Sequence, residues 1–226
     1  MSSPLKDSRL EALLDRLRIQ NDAQGAETQA YISRRLQEGT LDLNRFKFDD
    51  DMHRFYSDKM VILDRDKAEF CYLLCRALKV ARVVEAGTSF GVSTLYLAAA
   101  VRDNQIENGV VIATEYEPKK AAIARENFEE AGLGTFIELR EGDLRETLKE
   151  IQGPVDFMLI DVWEVALPAL KLISPRLRSG AIVVCDNTAI RPEYYRDYFE
   201  FVRDPGNRFS TMTMPFGGGL EITVRV

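Results

Sequence analysis

From residue 81 onward the chain alternates short apolar runs with amphipathic stretches. "ARVVEAG" leads into "VSTLYLAAAVRD", "GVVIATE" into "PKKAAIARENFEEAGL", "FIELREGD" into "LRETLKEI", "VDFMLID" into "ALPALKLISPRLRSG", and "AIVVCDN" into "RPEYYRDYFEFVRD". Such strand–helix repetition requires right-handed crossovers and a largely parallel sheet, because parallel neighbours can be joined only across a face of the sheet. "RFSTMTMP" and "GLEITVRV", joined around "FGGG", form a closing pair that places an antiparallel strand near one edge. The expected fold class is α/β: a seven-stranded, mostly parallel sheet with an antiparallel C-terminal strand and helices on both faces.

Ahead of this core, residues 1–57 read as a helical N-terminal extension. "RLEALLDRLRIQ" and "AETQAYISRRLQEG" carry apolar residues at three-to-four spacing, the second closing on Gly39. "DLNRFKFDDDMHRFYSDK" has no clear period, and "RDKAEFCYLLCRALKV" is an amphipathic helix running straight into the first strand. With no internal repeat or linker, the 226 residues suit a single domain, 1–226, whose core is 58–226. No apolar run approaches the roughly 20 residues that span a membrane. The mixed-charge N-terminus lacks a signal-peptide apolar region, so the cytoplasm is expected. A net charge of −6 disfavours nucleic acid as a partner, since that binding rests on phosphate neutralisation. Cys71, Cys75 and Cys185 show no metal-ligand spacing and read as reduced core thiols. The single histidine, His53, leaves little room for a histidine-rich metal site or a Ser-His-Asp triad.

In open parallel sheets, ligands bind beyond the carboxyl ends of the strands. After the first strand comes "EAGTSFGVST", an E-x-G-x-x-x-G loop rather than the GxGxxG of dinucleotide folds. Its leading carboxylate, Glu85, would repel a pyrophosphate but suits a cationic group. Glu115 ends the second strand, where an acid accepts from two ribose hydroxyls, and Asp143 follows the third, within reach of an adenine amine. Each acid alone is explained equally by a solvated strand end. The ordered set points to an adenosine-bearing cation without phosphates, S-adenosylmethionine. Two later strands also end on polar groups: Asp161 in "FMLIDVW", and Asp186 with Asn187 in "AIVVCDN". These all-oxygen donors favour Mg²⁺, with Ca²⁺ or Mn²⁺ as alternatives. Adjacent carboxylates without a cation would repel and raise each other's pKa.

"DKMVI", "VVEAGTSFGVSTLYLA", "VIATEYEP", "FIELREGD", "VDFMLIDVW" and "GAIVVCDN" together resemble the class I S-adenosylmethionine-dependent methyltransferases. More narrowly they are similar to the small cation-dependent O-methyltransferases of the catechol and caffeoyl-coenzyme A types, over roughly residues 58–190 and the final strand. The resemblance implies a Rossmann-like core. It implies a cofactor pocket of Met60, Val61, Glu85, Gly87, Ser89, Ser93, Glu115, Asp143, Asp161 and Trp163. Trp163 would pack on the adenine, though by itself it fits a core tryptophan as well. The same resemblance makes Asp161, Asp186 and Asn187 metal ligands. A bound cation would favour the ionised form of a phenol whose pKa is otherwise about 10.

One departure stands out. Catechol-type members carry a lysine base three residues after the first metal-ligating aspartate, and here that residue is Glu164. Asp161 and Glu164 are the expected catalytic residues, Glu164 as a weaker base toward a phenol. The alternatives for Glu164 are a further metal ligand or a solvated acid suited to the start of the next helix. Arg191, Tyr194 and Tyr195, in a segment unlike the family's usual substrate loop, are candidate substrate contacts.

The function expected is metal-dependent O-methylation of a catechol-like or other vicinal-diol phenolic small molecule. The alternative within the enzyme class is a metal-independent N- or O-methyltransferase. An NAD-type dehydrogenase is disfavoured by Glu85 and the missing GxGxxG, and a non-catalytic partner protein by the intact strand-end acids. The N-terminal helices offer either a lid over the site or a homodimer contact.

Overall fold

The computed structural model describes residues 3–42, 48–190 and 192–226. Its centre is a seven-stranded sheet in the order β3–β2–β1–β4–β5–β7–β6, comprising β1 (Arg82–Ala86), β2 (Val110–Glu115), β3 (Ile137–Glu141), β4 (Val155–Ile160), β5 (Leu177–Asp186), β6 (Phe209–Met214) and β7 (Leu220–Arg225). The first five strands pair in parallel, and β7 runs antiparallel between β5 and β6. This is the architecture expected from the alternation. The order reverses direction between β1 and β4, so their carboxyl ends flank the crevice where such sheets bind ligands.

Successive strand residues face opposite cores, as the two-residue period of a strand demands. Val83, Val111, Phe157, Leu159 and Val184 pack on one side, with α4 (Arg65–Ala77) and α5 (Val92–Asn104). Val84, Ile112, Met158, Ile160 and Val183 pack on the other, against α8 (Ala166–Ile173) and α9 (Arg196–Arg203). Burial on both faces explains why these strands read as unbroken apolar runs. In α5 every residue from Val92 to Val101 is buried, because the helix lies between the sheet and its neighbouring helices. α6 (Pro118–Glu130) takes Pro118 in its first turn, where the missing N–H costs no hydrogen bond.

α1 (Ser8–Ala23) inserts Leu10, Leu13, Leu14 and Leu17 into the α4–α5 core. α2 (Gly25–Gln37) and α3 (Asp50–Tyr56) form a smaller cluster around Tyr31, Leu41 and Met52. Buried Arg35 pins this cluster together, donating to Asp49 Oδ2 at 2.6 Å, Asp51 Oδ2 at 3.1 Å and the Thr40 carbonyl at 2.7 Å.

The structure departs from the expected elements in four places. The aperiodic stretch before residue 60 contains α3, capped by Asp49, which accepts from the Met52 N–H at 2.9 Å; a two-turn helix is too short for its period to show. The helix expected to close on Gly180 ends at Ile173, and Gly180 lies inside β5, whose pairing with β4 shifts register between Val155 and Phe157. α7 (Leu144–Thr147) is a single turn, and Pro192–Tyr195 forms a 3₁₀ turn ahead of α9. All three cysteines are buried free thiols, as expected. No helix among the described residues is long and apolar enough to cross a membrane.

Candidate active site

Glu85 closes β1 and is fully buried. Its Oε2 accepts from the hydroxyls of Thr88, at 3.2 Å, and Thr94, while Oε1 has no hydrogen-bond partner among the described residues. Burial pushes its pKa up to about 7, opposed by the hydroxyls of Thr94, Ser93 and Thr88 and reinforced by Glu115. A buried carboxylate oxygen without a partner, at the mouth of a glycine loop, is a site for a cationic or N–H-bearing ligand.

Gly87 takes φ +95°, and a Cβ there would lie 2.6 Å from the Asp161 carbonyl oxygen. The loop therefore rests directly on the chain leaving β4. Ser89, at φ +50°, donates its N–H to Glu115 Oε2 at 2.6 Å, and its hydroxyl accepts the Val61 N–H at 3.1 Å. That bond ties the 60–61 segment to the loop. Met60 is buried and donates its N–H to Gln24 Oε1 at 3.0 Å. Ser93 lies in the buried first turn of α5.

At the end of β2, Glu115 also accepts the Glu117 N–H at 2.9 Å. Two backbone donors thus aim this carboxylate and leave lone pairs for a ligand diol. Burial raises its pKa, and the nearby buried Lys120 counters that rise. Asp143 caps α7 and is held by the Arg145 guanidinium at 2.6 Å, an engagement the sequence reading did not foresee. Glu85, Gly87, Ser89, Ser93, Glu115 and the 60–61 segment do converge around the loop. Their acceptor set fits an adenosine-bearing cation: an acid with one oxygen open for an ammonium or sulfonium, and an aimed acid for a diol.

The second strand-end group is built differently from expectation. Asp186 is 4% exposed and Lys67 1%. Lys67 Nζ stands 2.7 Å from Asp186 Oδ1 and 3.2 Å from Asp64 Oδ2. Asp186 Oδ2 accepts from the Asn187 side-chain N–H at 3.0 Å. Asn187 takes φ +60°, where asparagine is tolerated better than most residues, and donates its backbone N–H to the Gly219 carbonyl at 3.1 Å. Asp161, at the end of β4, donates its N–H to the Ala86 carbonyl at 2.9 Å. Burial, then Asp186 and Glu85, hold its carboxyl well above the usual range, with Lys67 acting against them. Burial raises Asp186 also, opposed chiefly by Lys67.

These side chains do not fit an open divalent-cation cage. Both Asp186 oxygens already face donors, one of them an ammonium, and Asn187 presents its N–H to its neighbour. Among the described residues no three His, Cys, Asp or Glu side chains converge on a metal-sized site.

Glu164 lies exposed in the turn before α8 and accepts the Phe48 N–H at 3.3 Å, so it fastens the N-terminal segment rather than projecting into the core. Half-buried Trp163 meets the edge of Phe48 at 6.4 Å between ring centroids. Tyr195 is 2% exposed, and its hydroxyl has no hydrogen-bond partner among the described residues, although it lies in the field of Asp161 and Asp186. Tyr194 is half-buried beside it, and Arg191 falls outside the described residues.

Lys67 is the residue the sequence reading missed. Its signal was present: it stands four residues before Cys71, on the same buried stripe of α4 as Ala68, Cys71, Tyr72 and Cys75. A lysine at a core-facing helical position requires a buried partner.

Residues 84–188 match a family model described as a methyltransferase domain. A catechol O-methyltransferase of Niastella koreensis is 33% identical over 131 residues, covering 54% of this chain and 56% of that protein. One from Mycobacterium tuberculosis is 34% identical over 129 residues, covering 56% and 57%. The alignments thus span little more than half the length of these curated relatives. The O-methyltransferase from Bacillus cereus, solved with SAH, superposes with a TM-score of 0.67 at 24% identity, covering 78% of this chain and 88% of that one. At that identity the likeness speaks for the fold. The resemblance to the O-methyltransferases read from the sequence is borne out.

Proposed function

We propose that this class I methyltransferase domain transfers the methyl group of S-adenosylmethionine to a hydroxyl oxygen of a small aromatic acceptor. One observation carries the reading: the fully buried Glu85, with an oxygen lacking a partner, heads a glycine loop at the sheet's switch point, and the aimed Glu115 stands on the next strand. Bound there, the cofactor would supply an electrophilic methyl on a sulfonium. The chain's own residues bind and orient. Glu85 would receive the cofactor's cationic end and Glu115 its ribose diol. Gly87 brings the loop against the Asp161 backbone, so the methyl would be presented toward the ends of β4 and β5. In-line transfer needs the acceptor oxygen close to that carbon and losing its proton. Asp161, in its ionised form, is the group placed to take it, and the burial and neighbouring carboxylates that raise its pKa make that carboxylate a stronger base. Phe48, Trp163 and Tyr195 would frame a planar acceptor, with α2 and α3 standing over a catalytic core at 58–226. A catechol or related vicinal diol is the acceptor class this framing and the named relatives favour.

The metal-dependent and metal-independent versions separate on one feature. The Lys67–Asp186 ion pair favours the metal-independent version, in which the strand-end acids serve as base and anchor. The deciding experiment incubates the chain with S-adenosylmethionine and a panel of simple phenols and catechols, with and without EDTA, and quantifies S-adenosylhomocysteine and methylated product. Methyl ether formed equally in EDTA is expected. Failure to bind S-adenosylhomocysteine, or methyl found only on nitrogen, would remove the O-methyltransferase reading.

A further inference from the structure

We propose that Lys67 is the resident cation of the strand-end site: its ammonium occupies the place beside Asp186 that a divalent ion would need, so that the site is built to work without a metal. The inference rests on the methyltransferase reading for its catalytic meaning, but its structural content stands apart from that reading.

Three observations converge on it. Lys67 Nζ lies 2.7 Å from Asp186 Oδ1, with both residues almost wholly out of solvent. The remaining Asp186 oxygen accepts from the Asn187 side-chain amide, so each carboxylate oxygen already stands against the ammonium or an N–H. The lysine stem belongs to the first turns of α4, on the stripe that packs Ala68, Cys71 and Tyr72 into the core. A metal ion arriving at Asp186 would have to share one carboxylate with an ammonium, where like charges a few ångströms apart in a poorly screened site repel strongly. Alternatively it would have to part Lys67 from Asp186, leaving a buried ammonium with only the largely exposed Asp64 as its carboxylate partner. Asp64, 3.2 Å from the same ammonium and largely exposed, keeps a second anchor on it from the solvent side.

The arrangement also explains how two strand-end carboxylates, Asp186 buried and Asp161 half-buried, coexist. The mutual repulsion that would otherwise call for a bound cation is offset from within the chain, by a residue carried on a different layer of the fold. Lys67 acts here as a positioning residue. Its ammonium, 2.7 Å from Asp186 Oδ1, aims that carboxylate and opposes the rise that burial imposes on its pKa.

The test titrates Mn²⁺ into the intact chain, with and without S-adenosylhomocysteine, and follows free Mn²⁺ by electron paramagnetic resonance. The wild type should show no site that Asp161→Asn or Asp186→Asn abolishes. Lys67→Met, which removes the ammonium and keeps the stem, should gain one Mn²⁺ site that the further change Asp186→Asn removes. Lys67→Arg should gain none. A wild-type Mn²⁺ site lost in Asp186→Asn would overturn the proposal, as would a folded Lys67→Met chain that takes up no Mn²⁺. Should Lys67→Met fail to fold, the wild-type titration still decides. S-adenosylhomocysteine binding, measured in parallel by calorimetry, reports on the methyltransferase reading separately, so failure of one is not confused with failure of the other.

Discussion

Glu85 and Gly87 show how much of a site can rest on two positions. Glu85 sits above the ordinary carboxylate value of 4.5 because burial penalises its charge. The sign follows: a raised folded pKa contributes stability below pH 4.5 that is lost as pH rises through about 7. Relative to Glu85→Gln, the ligand-free wild type should therefore lose stability on the order of 3 kcal/mol between pH 4 and 8, by urea denaturation of both chains. Cofactor binding should run the opposite way. The ionised carboxylate is the form that attracts a cation, so S-adenosylhomocysteine affinity should rise from pH 6 to 8 in the wild type and stay flatter in Glu85→Gln, by calorimetry. Gly87→Ala meets both a strained φ of +95° and the Asp161 carbonyl 2.6 Å away. It should lower stability by more than about 1 kcal/mol and weaken cofactor binding together, read by thermal shift with and without ligand.

Among the elements, the short N-terminal helices decide what stands over the site. α2 and α3 are joined through Arg35, which satisfies the α3 cap residue Asp49 and the Thr40 carbonyl at once. The same assembly carries Phe48 against Trp163 and Glu164. Arg35→Ala should cost about 1–2 kcal/mol, since its acidic partners are half-exposed and regain water. Its larger effect should be on acceptor KM rather than on cofactor affinity, measured by steady-state kinetics at saturating S-adenosylmethionine. Equal loss of cofactor affinity would disconnect this cluster from the acceptor side. In α4 the lesson concerns helix faces: the stripe that buries Ala68, Cys71 and Tyr72 also aims Lys67 at the end of β5.

Across the whole molecule, the described N-terminal helices are not uniformly peripheral. α1 contributes four leucines to the core shared by α4 and α5, whereas α2 and α3 keep a cluster of their own. Leu14→Ala, at a fully packed α1 position, should destabilise the entire domain by about 2–5 kcal/mol, with a single urea transition by both far-UV circular dichroism and Trp163 fluorescence. A separate early transition confined to the helices would show α1 to be an independent appendage. The switch point between β1 and β4 is likewise a property of the whole sheet, since it depends on crossovers running in opposite directions on either side of it.

The alternation of strands and helices was legible in the sequence because backbone hydrogen bonding and two-sided burial impose periodicities that neighbouring residues carry themselves. For the same reason Glu85, Glu115, Asp161 and Asp186 could be placed at strand ends: each terminates an apolar run. Element ends were read less well. α3 is too brief to show a period, and Gly180 resembles a helix stop although it lies inside β5, at a place fixed by pairing with β4 rather than by its neighbours. What only the tertiary structure decided is which charge faces which. Lys67 and Asp186 are 119 residues apart (186 − 67) and meet because α4 packs on the sheet face beside β5. Periodicity along a chain says that a residue is buried; the partner that makes its burial tolerable comes from another element, and that pairing exists only once the layers have closed.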